Sequence, residues 1–263
     1  MRPISEMPAV SARAIRWVLT DIDDTMTRDG KLIPSAYSAL CDLASAGLKV
    51  VAVTGRSAGW AQVHMQEWPL FAAIAENGAI SYARGEGGAV REIAFPGAVR
   101  NTAASFARAA RRSFQAVPRA LPAPDNNLRL YDYAIDYAES VRPPLSAEEV
   151  STIVDIFAEE GCSAKPSSIH VNCWVGPFDK KSSAIELLSA IDGYDDSRDR
   201  DSVLYVGDAP NDEVMFEHFP NSCAVANVAK WLGLMSHAPA WVSSRPFGDG
   251  FAEIARTVLA ARV

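Results

Sequence analysis

The run Leu48–Val53 (LKVVAV) constrains the fold of this chain more than any other segment. Its residues are apolar almost without interruption, which is typical of a strand buried on both faces of a parallel sheet. Segments with helical spacing lie on either side of it, over residues 34–46, where Gly47 supplies the stop, and over residues 57–67. Strands that alternate with helices across short links indicate a doubly wound α/β fold.

The same alternation extends through the first and last thirds of the chain. Short apolar runs predict core strands at residues 16–20, 48–53, 72–75, 203–206, 223–226 and 240–242. Amphipathic segments predict core helices at residues 34–46, 57–67, 181–191, 209–218 and 249–261. We therefore expect a mostly parallel, Rossmann-like sheet that is assembled from both ends of the chain.

The middle third has a different pattern. Glycines at 85, 87 and 88 mark a turn, and a run with period-2 alternation at residues 128–137 predicts a half-exposed strand. A capping box at Ser146 and Glu149 opens a helix that should extend to residue 160. Residues 101–114 predict a further helix, and residues 169–175 a further strand. We expect an α/β cap domain over residues 83–174, inserted between core segments 1–82 and 175–263.

Charge and hydropathy exclude several classes of partner. The chain has 32 acidic and 25 basic residues, a formal net charge of −7, and no long run of one sign. This balance argues against nucleic-acid binding through phosphate contacts and offers no basic patch for an anionic membrane. The longest apolar runs are too short to cross a bilayer, and the first residues lack the apolar region of a signal peptide. We expect a cytoplasmic protein; the sequence does not fix its oligomeric state.

Cysteine and histidine spacing offers no zinc site. The four cysteines form no CxxC pair, and the four histidines form no HExxH motif. Scattered, reduced thiols in the core are therefore the expected role of the cysteines.

Four polar clusters each follow a predicted apolar strand. They are DIDDT at residues 21–25, TGR at 54–56, ENG at 76–78 and GDAPND at 207–212. In parallel sheets such clusters converge at the carboxyl ends of the strands, where ligands bind. Several carboxylates at one edge repel one another unless a cation offsets their charge. Oxygen ligands without organised His or Cys favour Mg²⁺ over zinc.

These clusters resemble the four motifs of the haloacid dehalogenase-like (HAD) phosphohydrolases. DIDDT at 21–25, VTGR at 53–56, a lysine at 180 or 181 that opens a helix, and VGDAPND at 206–212 follow in the family's order and approximate spacing. The insertion between the second and third motifs, with ENGA at 76–79, resembles the Cof-like and sugar-phosphate phosphatases. Residues 167–180 are similar to relatives that include sucrose-, trehalose- and mannosylglycerate-phosphate phosphatases. The resemblance implies Mg²⁺-dependent hydrolysis of a small phosphorylated metabolite, with a sugar phosphate as the expected substrate.

The resemblance also implies roles in phosphoryl transfer. Asp21 would be the nucleophile that forms an aspartyl-phosphate, and Asp23 the acid that protonates the leaving alcohol and later activates water. The Thr54 hydroxyl and the Gly55 backbone amide would bind the phosphoryl group. Arg56 would orient the loop or the substrate.

The metal ligands follow from the same resemblance. Asp208 would bind Mg²⁺ together with Asp21 and the backbone carbonyl of Asp23. Asp212 would be either a further ligand or an anchor behind the ligands, and Asn211 a supporting amide.

Two lysines compete for the task of neutralising the phosphoryl oxygens. Aligning Asp179-Lys180 with the DK pair of some relatives selects Lys180, whereas aligning KSSAI with the KGxAL of others selects Lys181. We favour Lys180 as catalytic and keep Lys181 as a substrate-binding candidate.

The predicted cap should close over the site and contact the leaving group. Asn77 and two residues of the strand at 169–175, His170 and Asn172, are the candidate contacts. Arg129, Tyr131 and Tyr133 share one face of the alternating run, which a polar substrate and an exposed sheet face explain equally well.

Two other functions share parts of this pattern. A phosphomannomutase-type phosphotransferase has the same core, but it needs cap groups that hold a second phosphate, and the insertion shows no compact Arg/Lys trio. A phospho-receiver protein also combines Asp, Thr and Lys around Mg²⁺. Receivers are about half this length, lack a cap, and are better served without an acid such as Asp23.

Overall fold

The computed structural model describes residues 1–101 and 104–262. The strands, numbered along the chain, are β1 (Arg2–Pro3), β2 (Trp17–Thr20), β3 (Thr27–Arg28), β4 (Lys31–Leu32), β5 (Lys49–Val53), β6 (Ala72–Ala75), β7 (Ile80–Arg84), β8 (Val90–Ala94), β9 (Leu121–Pro122), β10 (Asp132–Asp136), β11 (Ser163–Pro166), β12 (His170–Trp174), β13 (Val203–Gly207), β14 (Asn221–Ala224) and β15 (Trp241–Val242). The α-helices are α1 (Ala9–Ala14), α2 (Pro34–Ser45), α3 (Ala58–Glu67), α4 (Ala104–Ala116), α5 (Ala147–Glu159), α6 (Lys180–Asp192), α7 (Asp196–Asp199), α8 (Glu213–His218) and α9 (Phe247–Ala260). Short 3₁₀ turns lie at Ile4–Glu6, Glu76–Gly78, Glu86–Gly88, Asn126–Leu128, Arg200–Ser202, Pro210–Asp212, Ala226–Lys230 and Leu232–Leu234.

A large sheet with strand order β1-β15-β14-β13-β2-β5-β6-β7-β8 forms the centre of the molecule. Its pairs are parallel except for the hairpin β6-β7-β8 at one edge, which is antiparallel. The central strands β2, β6 and β13 are buried along their whole length. This agrees with the continuous apolar runs in the sequence and confirms the predicted doubly wound α/β core.

Helices cover both faces of this sheet. In β2, Val18 joins the apolar core beneath α2, α3 and α9, whereas Trp17 and Leu19 join the core beneath α6 and α8. Successive side chains of a strand point to opposite faces, so one short strand supplies both cores. Trp17 is fully buried, and burying a large aromatic side chain stabilises the fold by roughly 2–3 kcal/mol.

A second, antiparallel sheet with strand order β11-β12-β10-β9 comes from the middle of the chain. Its outer face packs against α4 and α5, through residues such as Val171 and Cys173 of β12. The alternate positions of β12 are His170, Asn172 and Trp174, and Trp174 packs into the core of the large sheet. The cap strand therefore presents its polar residues toward the core domain.

The capping box predicted for α5 is present. The Ser146 hydroxyl accepts a hydrogen bond from the Glu149 amide at 3.2 Å, and the Glu149 carboxylate accepts one from the Ser146 amide at 2.7 Å. Helix α4 begins at Ala104, and part of the predicted start of this helix lies outside the described residues.

The hairpin β7-β8 differs from the sequence-based expectation. The glycines after residue 84 form its turn, with Gly87 and Gly88 at φ 75° and 82°, whereas the sequence predicts that the chain leaves the core at residue 83. Strand β8 then pairs with β7 along the edge of the large sheet. The four-stranded sheet begins only at β9, so the prediction that the cap begins at residue 83 is too early by the length of this hairpin.

Two further elements are shorter than their patterns suggest. The alternating run at 128–137 becomes strand only from Asp132. Before it, Asn126–Leu128 forms a 3₁₀ turn, and the Glu76 carboxylate accepts the backbone amides of Leu130 and Tyr131. The predicted helix at 209–218 starts as a 3₁₀ turn, and α8 begins at Glu213. Among the described residues, no helix combines the length and hydropathy that crossing a bilayer requires.

Candidate active site

The parallel strands bring the predicted motifs to one edge of the sheet. Asp21 follows β2, Thr54 follows β5, Glu76 follows β6 and Asp208 follows β13. Ladder hydrogen bonds continue past the strand ends, from the Asp21 amide to Val206 (2.8 Å) and from the Thr54 amide to Ile74 at 2.9 Å. The backbone of the site is therefore fixed by the sheet itself.

Three buried carboxylates form the centre of this edge. Asp21, Asp208 and Asp212 each place an oxygen within 4.8 Å of the others. Burial and the neighbouring carboxylates Asp212 and Asp23 raise the pKa of Asp21 to about 7, although Lys180 opposes the shift. Burial, Asp212 and Asp21 likewise raise the pKa of Asp208 well above its ordinary value. A cation among these oxygens would relieve the repulsion, and an all-oxygen donor set fits Mg²⁺.

Lys180 lies at the first turn of α6 with its ammonium inside the cluster. Its Nζ is 3.1 Å from Asp21 Oδ1 and 2.7 Å from Asp212 Oδ1. Burial would lower the pKa of Lys180, but the two carboxylates outweigh burial and raise it, which keeps the ammonium charged. Asp179 fixes the start of the helix by accepting the Ser182 amide at 2.7 Å. Of the two candidate lysines, the structure brings only Lys180 to Asp21; Lys181 is half-buried and makes neither contact.

Asp212 connects Lys180, Tyr205 and the loop after β13 through hydrogen bonds. Its Oδ1 accepts from Lys180 and from the Tyr205 hydroxyl (2.5 Å), and its Oδ2 accepts the amides of Asp208 (2.9 Å) and Ala209 at 3.1 Å. A Cβ at Gly207 would lie 2.4 Å from Asp212 Oδ2, so only glycine fits there. Because each Asp212 oxygen already accepts two hydrogen bonds, whereas each Asp208 oxygen accepts one, the geometry favours the anchor role of Asp212 over direct metal ligation.

Asp208 is oriented by two partners, one of which sequence reasoning missed. Thr25 donates to Asp208 Oδ1 at 3.2 Å, and Asn227 donates to Oδ2 at 2.9 Å. Asn227 also donates to the Asp24 carbonyl at 3.0 Å, which links the first and fourth motifs. It lies in the 3₁₀ turn after β14, and its position beyond a parallel strand was the only signal that could have identified it.

Asp23 and Arg56 form a close ion pair beside the carboxylate cluster. The Arg56 Nε lies 2.9 and 3.1 Å from the two Asp23 oxygens, and its Nη2 lies 2.5 Å from Oδ1. Burial alone would raise the pKa of Asp23, but the charge and hydrogen bonds of Arg56 outweigh it and lower the pKa. The guanidinium also lies over the ring of Trp60, 5.4 Å from its centre. The predicted orienting role of Arg56 is thus directed at the predicted acid.

The loop after β5 combines a threonine hydroxyl with a closely packed glycine. The Thr54 hydroxyl accepts the Arg56 amide at 3.0 Å, so its own proton is available to donate. A Cβ at Gly55 would lie 3.3 Å from both Asn172 and Asn77, which means that glycine permits these amides to pack against the loop.

The cap contributes its side chains to the same loop. Asn172 donates to the Gly55 carbonyl at 3.0 Å, and Arg129 donates to the same oxygen at 2.9 Å. His170 Nε2 lies 2.8 Å from Glu139 Oε2, and both line a cavity next to Asp23. The predicted cap candidates therefore lie at the site, Asn172 in contact with the loop and His170 at the cavity wall.

Two buried amides lack protein partners. Asn77 Nδ2 and Asn211 Oδ1 make no hydrogen bond within the described part of the chain, although the residues are only 3% and 6% exposed. Both line a narrow gap next to Lys180. Unpaired buried polar atoms at such a place indicate a polar ligand or water.

A buried network that the sequence did not reveal joins cap and core. The Glu76 carboxylate accepts four backbone amides at 2.7–3.2 Å, from Ala58 and from residues 130–132. Arg129 pairs with Asp132 at 2.8 Å and with Asp125 at 3.0 Å, and its side chain is fully buried. The expectation that Arg129 lies on an exposed sheet face is wrong, because its guanidinium is buried inside this network.

Comparison with known proteins supports this interpretation of the motifs. Residues 18–98 match the profile of the haloacid dehalogenase-like hydrolase family. None of the curated proteins matches the sequence.

Solved structures resemble the chain over nearly its whole length. A HAD/COF-like hydrolase from Plasmodium vivax has 18% identity and a TM-score of 0.68, with 98% of this chain and 99% of that chain covered. A HAD superfamily phosphatase from Bacteroides thetaiotaomicron has 19% identity and a TM-score of 0.62, with coverage of 96% and 97%. A sugar phosphatase of HAD subclass IIB has 14% identity and a TM-score of 0.65, with coverage of 94% and 99%. At these identities the likeness shows a shared fold.

The family match covers the first two motifs, and the structure brings the later motifs to the same edge of a shared core-and-cap fold. Residues 18–98 are therefore similar to the haloacid dehalogenase-like hydrolases, and the chain shares its fold with solved structures that include a HAD/COF-like hydrolase and a HAD subclass IIB sugar phosphatase.

Proposed function

We propose that this protein is a Mg²⁺-dependent phosphomonoester hydrolase that acts on a small phosphorylated metabolite, with a sugar phosphate as the leading substrate. One observation carries the proposal: the buried ammonium of Lys180 lies 3.1 Å from Asp21 Oδ1, beside Asp208 and at the carboxyl ends of parallel strands. A fixed cation and a carboxylate nucleophile at one point are what phosphoryl transfer requires.

Asp21 would attack the phosphorus and form an aspartyl-phosphate, which divides one hard displacement into two easier steps. The Thr54 hydroxyl and the Gly55 amide would donate to the phosphoryl oxygens. Lys180 would neutralise the charge on these oxygens and keep the Asp21 carboxylate ionised. Each of these donors is fixed before substrate arrives, which favours the transition state electrostatically.

Asp21, Asp208 and the backbone carbonyl of Asp23 would hold Mg²⁺, with Asp212 fixing the loop behind them. When bound, the ion supplies positive charge to the phosphoryl oxygens and offsets the repulsion among the carboxylates. Thr25 and Asn227 keep the Asp208 carboxylate oriented toward the cluster.

Asp23 would protonate the leaving alcohol and later take a proton from the attacking water. The ion pair with Arg56 orients the Asp23 carboxylate but also keeps its pKa low. For Asp23 to be protonated, the guanidinium would have to give up part of its contact with this carboxylate and contact the substrate instead. Arg56 is therefore a positioning residue that sets the proton affinity of Asp23.

Replacing Arg56 with glutamine should change the pH profile of the reaction. Without the guanidinium, burial dominates and the pKa of Asp23 rises, so the acid stays protonated to higher pH. We expect kcat/KM to fall about tenfold near neutral pH, because the carboxylate loses its orientation. The pH above which kcat/KM declines should rise. A purely structural role would lower activity without moving the profile, and an unmoved profile would contradict our assignment.

The proposed function is tested by measuring phosphate release from a panel of phosphorylated sugars, with and without Mg²⁺. Asp21→Asn removes the nucleophile with little change in shape, and we expect release to fall on the order of 10⁴-fold or more. The matched control is Asp42→Asn, a change at an exposed position of α2, which should leave the rate unchanged. Metal-independent release, or release by Asp21→Asn, would contradict the proposal. Isomerisation of a hexose phosphate without phosphate release, given a bisphosphate activator, would indicate the mutase instead.

A further inference from the structure

A two-lobed cavity lies between the cap and the predicted acid. Lobes of about 280 and 430 Å³ share Asp23, Gly30, Glu139 and Ile169 in their walls. Since Asp23 is the group proposed to protonate the leaving oxygen, the alcohol part of the substrate must extend into this space. We call this space the leaving-group cavity, and its assignment rests on the proposed function.

Carboxylates outnumber cations on the walls of the leaving-group cavity. The acidic residues are Asp23, Asp24, Asp29, Asp125 and Glu139, and the basic residues are Arg56, Arg142 and Lys230.

Each basic group on these walls already has a partner. Arg56 is held by both oxygens of Asp23, and Lys230 lies 3.6 Å from Asp24. Arg142 donates to the backbone carbonyls of Ala138 and Val141.

The imidazole of His170 and two nearby cations, Arg129 and Lys165, are either paired with carboxylates or lie outside the cavity. His170 is hydrogen-bonded to Glu139 at 2.8 Å. Arg129 lies behind the wall, paired with Asp125 and Asp132. Lys165 lines the separate narrow gap beside Asn77 and Asn211. A second anionic group in the cavity would thus meet more carboxylates than cations on the walls, where Arg56 and Lys230 already pair with carboxylates and Arg142 is hydrogen-bonded to backbone carbonyls.

Aromatic side chains complete the walls. Trp60 borders one lobe, and Tyr137 and Trp231 border the other. Ring faces pack against the C–H groups of a polyol, and they attract an ammonium group through the ring quadrupole. These walls suit an uncharged or cationic alcohol of a size that a few hundred Å³ accommodates.

We propose that the enzyme selects phosphate monoesters by the charge of the alcohol: uncharged polyols and amino alcohols are accepted, and alcohols that carry a second anion are rejected. The rejection is electrostatic, because an added carboxylate or phosphate lies among walls on which like charges outnumber cations. The same feature disfavours a mutase, which must hold a second phosphate in this space.

Three hexose phosphates of similar size test the proposal: glucose 6-phosphate, glucosamine 6-phosphate and 6-phosphogluconate. Their alcohol parts are neutral, cationic and anionic at pH 7. Each is measured as a competitive inhibitor of p-nitrophenyl phosphate hydrolysis by the Mg²⁺-loaded enzyme. The inhibition constant then reports how tightly an ester binds, whether or not the enzyme hydrolyses it. We expect the inhibition constant of 6-phosphogluconate to be at least about tenfold weaker than that of glucose 6-phosphate. Glucosamine 6-phosphate should bind as well as glucose 6-phosphate or more tightly.

A double variant, Asp29→Asn with Glu139→Gln, removes two of the wall charges. Asp29 has φ 50°, a conformation that asparagine also adopts readily. We expect the ratio of the inhibition constant of 6-phosphogluconate to that of glucose 6-phosphate to decrease about threefold or more, while the inhibition constant of glucose 6-phosphate itself changes less. If this ratio is the same in the variant as in the wild type, the electrostatic explanation is overturned.

The outcomes separate this proposal from the proposed function. Equal or tighter binding of 6-phosphogluconate in the wild type, or competition by none of the three esters, overturns the selectivity while hydrolysis of the chromogenic ester still stands. If neither the chromogenic ester nor any ester of the sugar-phosphate panel is hydrolysed, the proposed function fails. In that case, calorimetry measures the affinities of the three esters for Mg²⁺-loaded Asp21→Asn protein. Equal affinities, or tighter binding of 6-phosphogluconate, then overturn the selectivity independently.

Discussion

Lys180→Met is expected to reduce phosphate release on the order of a thousandfold while the protein remains folded. Methionine keeps the length of the apolar stem but removes the ammonium that lies 3.1 Å from Asp21 Oδ1 and 2.7 Å from Asp212 Oδ1. Loss of a fixed charge that acts on the transition state costs about 3–4 kcal/mol of activation free energy. Steady-state kinetics with saturating Mg²⁺ measures this, and circular dichroism checks the fold.

Lys181→Met is the matched control for this variant. Lys181 follows Lys180 on the same helix, but the structure gives it no contact with Asp21 or Asp212, so its replacement should change kcat by less than about threefold. If Lys181→Met were the damaging change and Lys180→Met the mild one, the assignment of the catalytic lysine would be wrong.

Glu76→Gln is expected to destabilise the protein by about 3 kcal/mol, the second large effect. The buried Glu76 carboxylate accepts four backbone amides, from Ala58, Leu130, Tyr131 and Asp132. A glutamine carbonyl can accept only some of these, and its NH₂ group would face amide donors. Leaving such groups unpaired in the interior costs several kcal/mol. Thermal unfolding should show a decrease in melting temperature of roughly 6–12 °C.

Glu67→Gln provides the comparison for Glu76→Gln. Glu67 is exposed at the end of α3, so neutralising it should leave the melting temperature close to that of the wild type. Equal melting temperatures for the two variants would show that the Glu76 network does not stabilise the joined cap and core.

The core of the fold could be predicted because its determinants are local. Apolar runs such as Lys49–Val53 need burial on both faces, and the polar residues that follow them have to lie at the carboxyl edge of the sheet. Asp21, Thr54 and Asp208 are brought together by this rule alone, without knowledge of any tertiary contact.

The start of the cap and the roles of Arg129 and Asn227 could not be predicted, because they depend on contacts between segments that are distant in the sequence. A glycine turn after residue 84 is compatible with an exit to a cap or with a hairpin, and only pairing of β8 with β7 decides between them. Arg129 looks like a residue of an exposed strand face, yet its guanidinium finds Asp132 and the Gly55 carbonyl, 74 residues earlier in the chain. Asn227 lies in no motif, and its role follows from its distance to Asp208.

The choice between Lys180 and Lys181 shows the same limit on a smaller scale. Both lysines fit a helix that starts after Asp179, and a shift of one residue rotates a side chain by about 100° around the helix. Only the position of α6 relative to Asp21 and Asp212 determines which ammonium enters the site.

Trapping of the acyl phosphate shows whether Asp21 is the nucleophile of a Mg²⁺-dependent phosphatase. Borohydride reduces an aspartyl-phosphate to homoserine, which mass spectrometry locates in the digested protein. We predict homoserine at position 21 when both Mg²⁺ and a hydrolysed phosphate ester are present, and none when either is omitted. Phosphate release with no modification at position 21, or with the modification at another carboxylate, would show that Asp21 is not the nucleophile.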